Sequence, residues 1–243
     1  MNKHEQQICD YFLRNDYISA VLQPVKSGKE ASVFLCRGSE LYQNRLLCLK
    51  VYKDFSQRSF KHTAVYQDGR FDGMGGKSRR GIRFKSSWGK SITEEIWIAS
   101  EMDALARLHE AGVNVPFPYE MSANAILMEY IGDQHQIANQ LKDEKLFELK
   151  TRYLFKKIIS NIQQMYNLNI VHGDLSAYNI LVWKNRPVII DFPQFVNPER
   201  NSNGYGLLHR DVDNICNFFA KKGIEADSLV ITDKICEYEK VNI

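Results

Sequence analysis

Three side chains in the second half of the sequence have the types and spacing to move a phosphoryl group. Asp174 and Asn179 stand five residues apart in His172-Gly173-Asp174-Leu175-Ser176-Ala177-Tyr178-Asn179, and Asp191 follows twelve residues after the asparagine. Phosphoryl transfer needs positioning and charge neutralisation more than covalent chemistry, and two carboxylates with an amide supply both. In such a set Asp174 accepts the hydroxyl proton of the acceptor. Asn179 turns back to ligate Mg²⁺, and Asp191 bridges the metal to the phosphates. Asp191 closes the apolar run Val188-Ile189-Ile190, so a buried strand delivers it to a cleft edge.

A second pair lies in the first half. Trp97, Ile98, Leu105 and Leu108 fall on one side of a helix, and Glu101 falls among them. A carboxylate on an apolar face must be paired or lose its charge. Its candidate partner is Lys50, the one charged residue in the apolar strand Leu46-Leu47-Cys48-Leu49-Lys50-Val51-Tyr52. A strand lysine held by a helix glutamate is how protein kinases grip the α- and β-phosphates of ATP. Adenine needs an edge, and Met128-Glu129-Tyr130-Ile131-Gly132 sits where two lobes would join. There an extended backbone offers the Glu129 carbonyl and the Ile131 amide on one side, with Met128 lining the pocket. Ser27-Gly28-Lys29-Glu30-Ala31-Ser32-Val33 supplies one tight turn, whose amides with Ser27, Lys29 and Ser32 are candidates to hold phosphate oxygens. Val33, Ile180 and Ile190 complete the expected apolar lining.

The elements that position these residues follow from periodicity. A short helix is expected over 5–14, strands over 31–35 and 46–52, and a helix from about 93 to 109, ended by Gly112. Residues 53–90 are glycine-rich, without sustained apolar period, and read as one long loop. A strand is expected over 125–131 and a helix over 144–167. Strands at 180–183 and 187–190 flank the turn Lys184-Asn185-Arg186, and helices near 210–222 and 227–239 follow, with Gly223 between them. The class expected is α+β: a strand-rich lobe over 1–130 and a helical lobe over 131–243, joined near 129–133.

Composition sets the outer bounds. The 243 residues are 44% hydrophobic and 25% charged, with a net charge of +3 that by itself argues for no nucleic-acid partner. The five cysteines are scattered and never spaced as C-x-x-C, which suits reduced thiols rather than a disulfide framework or a zinc site. The polar start Met1-Asn2-Lys3-His4-Glu5 is unlike a signal peptide. No apolar run approaches the roughly 18–20 residues that cross a bilayer. A soluble, cytoplasmic protein without a membrane partner is the expectation.

Several parts of the ordinary protein-kinase pattern are absent. There is no G-x-G-x-x-G, Gly173 follows the histidine where arginine is usual, Phe192-Pro193-Gln194 follows Asp191, and no A-P-E anchor occurs. Together Ser-Gly-Lys-Glu-Ala-Ser-Val at 27–33, Leu-Met-Glu-Tyr-Ile-Gly at 127–132, Val-His-Gly-Asp-Leu-Ser-Ala-Tyr-Asn-Ile at 171–180, Ile-Ile-Asp-Phe-Pro-Gln at 189–194 and Arg-Asp-Val at 210–212 resemble the RIO family of atypical protein kinases. The likeness runs from about residue 18 to 240. It implies a two-lobe kinase-like fold with a trimmed C-terminal lobe and no full activation segment. It also implies ATP with Mg²⁺ or Mn²⁺, and serine-directed phosphorylation of a protein substrate or of the chain itself. The resemblance matches Lys50 to the ATP-binding lysine, Glu101 to its pair, Asp174 to the base, Asn179 to a metal ligand and Asp191 to the metal-binding aspartate. It further implies an ATPase mode through a phosphoaspartate at Asp191, and a role in small ribosomal subunit maturation. About twenty-five residues precede Ser27, so the form without a winged-helix domain is expected.

The stretch 77–90 holds six basic residues and no acidic one, with Phe84 and Trp88 interleaved. It reads either as a stripe for RNA phosphates and bases, as on a ribosomal precursor, or as a solvated loop closing over ATP. Ser56, Ser59, Ser86 and Ser87 are candidate autophosphorylation sites. Two other functions fit parts of the pattern. A small-molecule phosphotransferase of the aminoglycoside- or choline-kinase type would use His172 to Leu181 nearly as well, and an ATP-gated switch on a ribosomal precursor would use slow turnover as a timer.

Overall fold

In the computed structural model the described residues are 1–53 and 87–240. They fall into two compact units, one made of 1–53, 87–106 and 116–136, the other of 107–115 and 137–240. Of the loop expected over 53–90, residues 54–86 lie outside the described residues, and with them the candidate sites Ser56, Ser59 and Ser86 and most of the basic stripe.

The first unit is built on a five-stranded antiparallel sheet in the order β1-β2-β3-β5-β4. Its strands are β1 (Ile18–Ser27), β2 (Ala31–Gly38), β3 (Leu46–Tyr52), β4 (Pro118–Ser122) and β5 (Ala125–Glu129). Both edge strands carry a proline, Pro24 in β1 and Pro118 at the start of β4. Proline is tolerated there because it has no ladder N–H to give. Helix α1 (Lys3–Arg14) opens on a capping box in which Asn2 accepts from the Glu5 amide and Glu5 reaches back to the Asn2 amide. Its Ile8, Cys9 and Phe12 pack on Phe34, Cys36, Leu47, Leu49, Val51, Ala125 and Leu127, one face of the sheet.

Strand alternation puts Val33, Cys48, Lys50, Tyr52, Ile126 and Met128 on the other face. Helix α2 (Ser87–Glu110) belongs mainly to this unit. It starts about six residues before the expected 93, so residues 87–90 are helical rather than loop. Trp97, Ile98, Glu101, Ala104, Leu105 and Leu108 form its buried stripe.

The second unit is mainly helical. Strand β6 (Asn139–Gln140) pairs with β7 (Ile180–Trp183), and β7 with β8 (Arg186–Ile189). Lys184 and Asn185 both take left-handed φ, 49° and 65°, the geometry of a two-residue hairpin turn. Helices α3 (Glu148–Asn167), α4 (Gly204–Ala220) and α5 (Ser228–Lys240) make up the rest. α4 begins six residues before the expected 210, and Gly204 allows it: a Cβ there would meet the Pro198 backbone at 2.6 Å. No described helix is long and apolar enough to cross a membrane.

Candidate active site

The expected pair is formed in the first unit. Lys50 Nζ donates to Glu101 Oε1 at 2.8 Å, with both residues buried, at 9% and 2% exposure. The strand and helix dictate this meeting, since Lys50 lies on the α2-facing side of β3 and Glu101 lies mid-stripe on α2. Sequence reasoning missed a third member. The Tyr52 hydroxyl donates to Glu101 Oε2, and its ring lies 5.0 Å from Lys50 Nζ. A buried ion pair is stable only when its remaining lone pairs find donors, and Tyr52 supplies one.

The Ser27–Val33 segment is the turn between β1 and β2. The Gly28 amide donates to the Ala31 carbonyl at 2.9 Å, and Lys53 Nζ donates to the Gly28 carbonyl at 2.5 Å. Lys29 is exposed, Gly28 and Val33 are half-buried, and Val33 is the register partner of Lys50. Ser32 sits differently. Its side chain faces away from Lys50, buried at 3%, within 3.2 Å of the exposed Ser27 hydroxyl and bonded to Glu5 of α1. Strand phase therefore removes the Ser32 hydroxyl from the Lys50 face, where a phosphate contact was expected.

Met128 and Ile131 are buried at 7% each. Glu129 accepts through Oε2 from the Phe117 amide and donates its own amide to the Phe117 carbonyl at 2.8 Å. Beside Met128 in register, Cys48 has its thiol pushed up to about 12 by burial.

In the second unit the chain from 171 to 179 is clamped from several sides. The buried His172 places Nε2 3.1 Å from the Ile190 carbonyl and accepts the Asp174 amide at Nδ1, 3.3 Å, so the ring is the Nε2–H tautomer. Gly173 has φ of +81°, a conformation that favours glycine, which explains glycine where arginine is usual. Asp211 of α4, 1% exposed, accepts the Gly173 amide at 2.7 Å and the Leu175 amide at 2.8 Å. Arg210 donates to the Gly173 carbonyl, and Asn214 to the Leu175 carbonyl at 2.9 Å. Burial pushes the Asp211 carboxyl up, against the pull of His172, the two amides and Arg210.

This frame leaves the Asp174 side chain exposed on the loop. Asn179 Nδ2 donates to the Asp174 carbonyl at 2.9 Å, which commits its NH₂ and leaves its oxygen as the group for a ligand. The Ile190 amide donates to the Asn179 carbonyl at 2.9 Å, and Asp191 follows, exposed, at φ +74°. A non-glycine residue held in that region stores strain of about 1–3 kcal/mol, and such strain clusters at functional sites. An amide oxygen and a carboxylate are the hard donors that Mg²⁺ or Mn²⁺ takes, so the residues present fit such an ion. Ile180 is fully buried in β7 and Ile190 half-buried.

His172, Arg210, Asp211 and Asn214 were not singled out as site residues. A signal existed for one: Asp211 stands among Leu207, Leu208, Val212 and Ile215, an acid on an apolar helix face like Glu101.

One unit with an antiparallel sheet carrying a lysine–glutamate pair, and a mainly helical unit carrying Asp174 and Asn179 on a loop and Asp191 after a hairpin, define the protein-kinase-like class of fold. The RIO domain family matches residues 32–231. A RIO-type serine/threonine-protein kinase Rio1 of Methanocaldococcus jannaschii is 33% identical over 216 residues, 88% of this chain and 68% of that protein. One of Haloferax volcanii is 29% identical over 217 residues, with the same coverage. The serine/threonine-protein kinase RIO1 of Caenorhabditis elegans is 29% identical over 201 residues, of which this chain spans 37% of the length. The chain belongs to the RIO family and is a protein kinase.

Proposed function

We propose that the chain transfers the γ-phosphoryl group of ATP to a serine or threonine hydroxyl, on itself or on another protein. The observation that carries this reading is the clamped loop, in which His172, Asp211, Arg210 and Asn214 fix the backbone on both sides of an exposed Asp174. Asp174 takes the proton from the acceptor hydroxyl as its oxygen bonds to phosphorus and ADP leaves. Lys50, aimed by Glu101, binds the α- and β-phosphates. The turn at Ser27, Gly28 and Lys29 lies over them, and Met128, Glu129 and Ile131 receive adenine. Asn179 and Asp191 would hold Mg²⁺ or Mn²⁺, which when bound neutralises phosphate charge. Five unpaired cysteines suit a reducing, cytoplasmic setting.

The exposed carboxylate of Asp191 supports a second reading, in which it takes the phosphoryl group and releases it to water. Small-subunit maturation is the setting that the resemblance implies for either activity, with 77–90 as its RNA contact. The test is incubation with γ-labelled ATP and Mg²⁺ beside Asp174→Ala and Lys50→Ala. Acid-stable label on serine or threonine, lost in both variants, is expected. Free phosphate with a hydroxylamine-labile label would favour the Asp191 reading. Neither label nor phosphate from the wild type would overturn both.

A further inference from the structure

We infer that Tyr52 is a positioning residue of the ATP site, setting the geometry of the Lys50–Glu101 pair through its hydroxyl; this rests on the ATP-binding role proposed for that pair. Glu101 is a buried carboxylate with two oxygens to satisfy. Lys50 takes Oε1 and the Tyr52 hydroxyl donates to Oε2. With the second oxygen held by the phenol, the ammonium is not needed at both oxygens, and the carboxylate plane is fixed against rotation. The strand period makes this possible, because residues two apart on β3 reach the same carboxylate from one face. The ring, 5.0 Å from Nζ, also bounds the ammonium on one side by a cation–π contact.

Tyr52 is itself held. Its amide donates to the Asn124 carbonyl at 2.9 Å, and its carbonyl lies 3.2 Å from His4 Nε2 of α1. The next residue bonds the glycine turn twice, from the Lys53 amide to the Glu30 carbonyl at 2.9 Å and from Nζ to Gly28. Tyr52 thus links the start of α1 to the lysine pair, and its neighbour Lys53 holds the phosphate-side turn. Phenylalanine would keep the ring at 2% exposure and remove the hydroxyl that donates to Glu101.

The experiment compares wild type, Tyr52→Phe, Glu101→Gln and the double variant by two readouts. One is ATP affinity. The other is the rate at which Lys50 is acylated by acetic anhydride, read by mass spectrometry without nucleotide. Losing a hydrogen bond to a charged group shifts an equilibrium by about tenfold. Tyr52→Phe is therefore expected to weaken ATP binding and speed Lys50 acylation by about that factor, with no further change when added to Glu101→Gln. Should the phenylalanine variant fail to fold, Glu101→Asp withdraws the carboxylate from Tyr52 while keeping the ring, and the same direction is expected. Unchanged Lys50 acylation, or an equal effect in the Glu101→Gln background, would overturn the inference. A wild type that binds no ATP would remove the nucleotide reading, while Lys50 acylation would still decide the role of Tyr52.

Discussion

Replacing Asp211 separates the stability of the catalytic loop from its chemistry. The carboxylate is 1% exposed and is the acceptor for two backbone amides, those of Gly173 and Leu175, at 2.7 and 2.8 Å. Asp211→Ala strands both donors in the interior. Each unsatisfied buried donor costs about 1–3 kcal/mol, so the pair costs about 2–6 kcal/mol. Asp211→Asn keeps the shape and one acceptor oxygen, so one amide stays satisfied and the cost is about half as large. For a chain of this size about 1 kcal/mol corresponds to roughly 2–4 °C of melting temperature. The asparagine variant should melt a few degrees below the wild type, and the alanine variant lower again. Phosphotransfer assayed well below both melting temperatures should fall in the same order, because the same amides set the backbone on either side of Asp174. Thermal melts and label incorporation on the three proteins would show this. Equal melting of asparagine and alanine variants would refute the two-donor account. Activity that fell only with the unfolded fraction would refute the link between α4 and the position of Asp174.

Two further outcomes follow from the described residues. Burial pushes Glu5 up, but the Ser32 hydroxyl, the Asn2 amide and the charges of the N-terminus and Lys53 outweigh it and lower its pKa from the ordinary 4.5. A lowered acid stabilises the fold above its unfolded pKa and loses that contribution as pH falls through the folded value. Glu5→Gln should therefore cost about 1 kcal/mol at pH 7, and the difference in urea midpoint should shrink toward zero below pH 4.5; a difference constant with pH would refute this. Burial also pushes the thiols of Cys9 and Cys216 up to about 11 and that of Cys48 up to about 12, and it raises that of Cys36. Since the thiolate is the reactive form, the three buried ones, Cys9, Cys36 and Cys216, should resist a disulfide reagent at pH 8 until the protein is unfolded. Fast reaction of any of them in the native protein would contradict the burial that the structure shows.

Lys50 and Glu101 were legible in the sequence because each breaks a local pattern, a charge in an apolar strand and an acid in an apolar helical stripe. β3 and β7 have their expected limits because short, mainly apolar runs bounded by polar segments leave little choice. The triplet Asp174, Asn179 and Asp191 was legible from spacing, because one tight loop and one hairpin carry all three. Other elements were hidden by strong local signals with tertiary answers. Val115-Pro116-Phe117-Pro118 reads as a breaker, yet β4 starts at Pro118 because an edge strand does not need that N–H. Gly89 argues for a later helix, as expected from about 93, yet α2 runs from Ser87.

Composition and spacing by themselves pointed to phosphoryl transfer, to a strand-rich half and a helical half, and to candidate residues for phosphate and proton. Only the tertiary structure decided what holds those residues. Asp211 reaches amides 36 and 38 residues away, Tyr52 reaches a carboxylate 49 residues away, and Ser32 turns from the Lys50 face to α1. Motif chemistry is local and so is written in the order of residues. The satisfaction of buried donors and acceptors depends on which distant segments share an interior, and strand phase and helix packing settle that together.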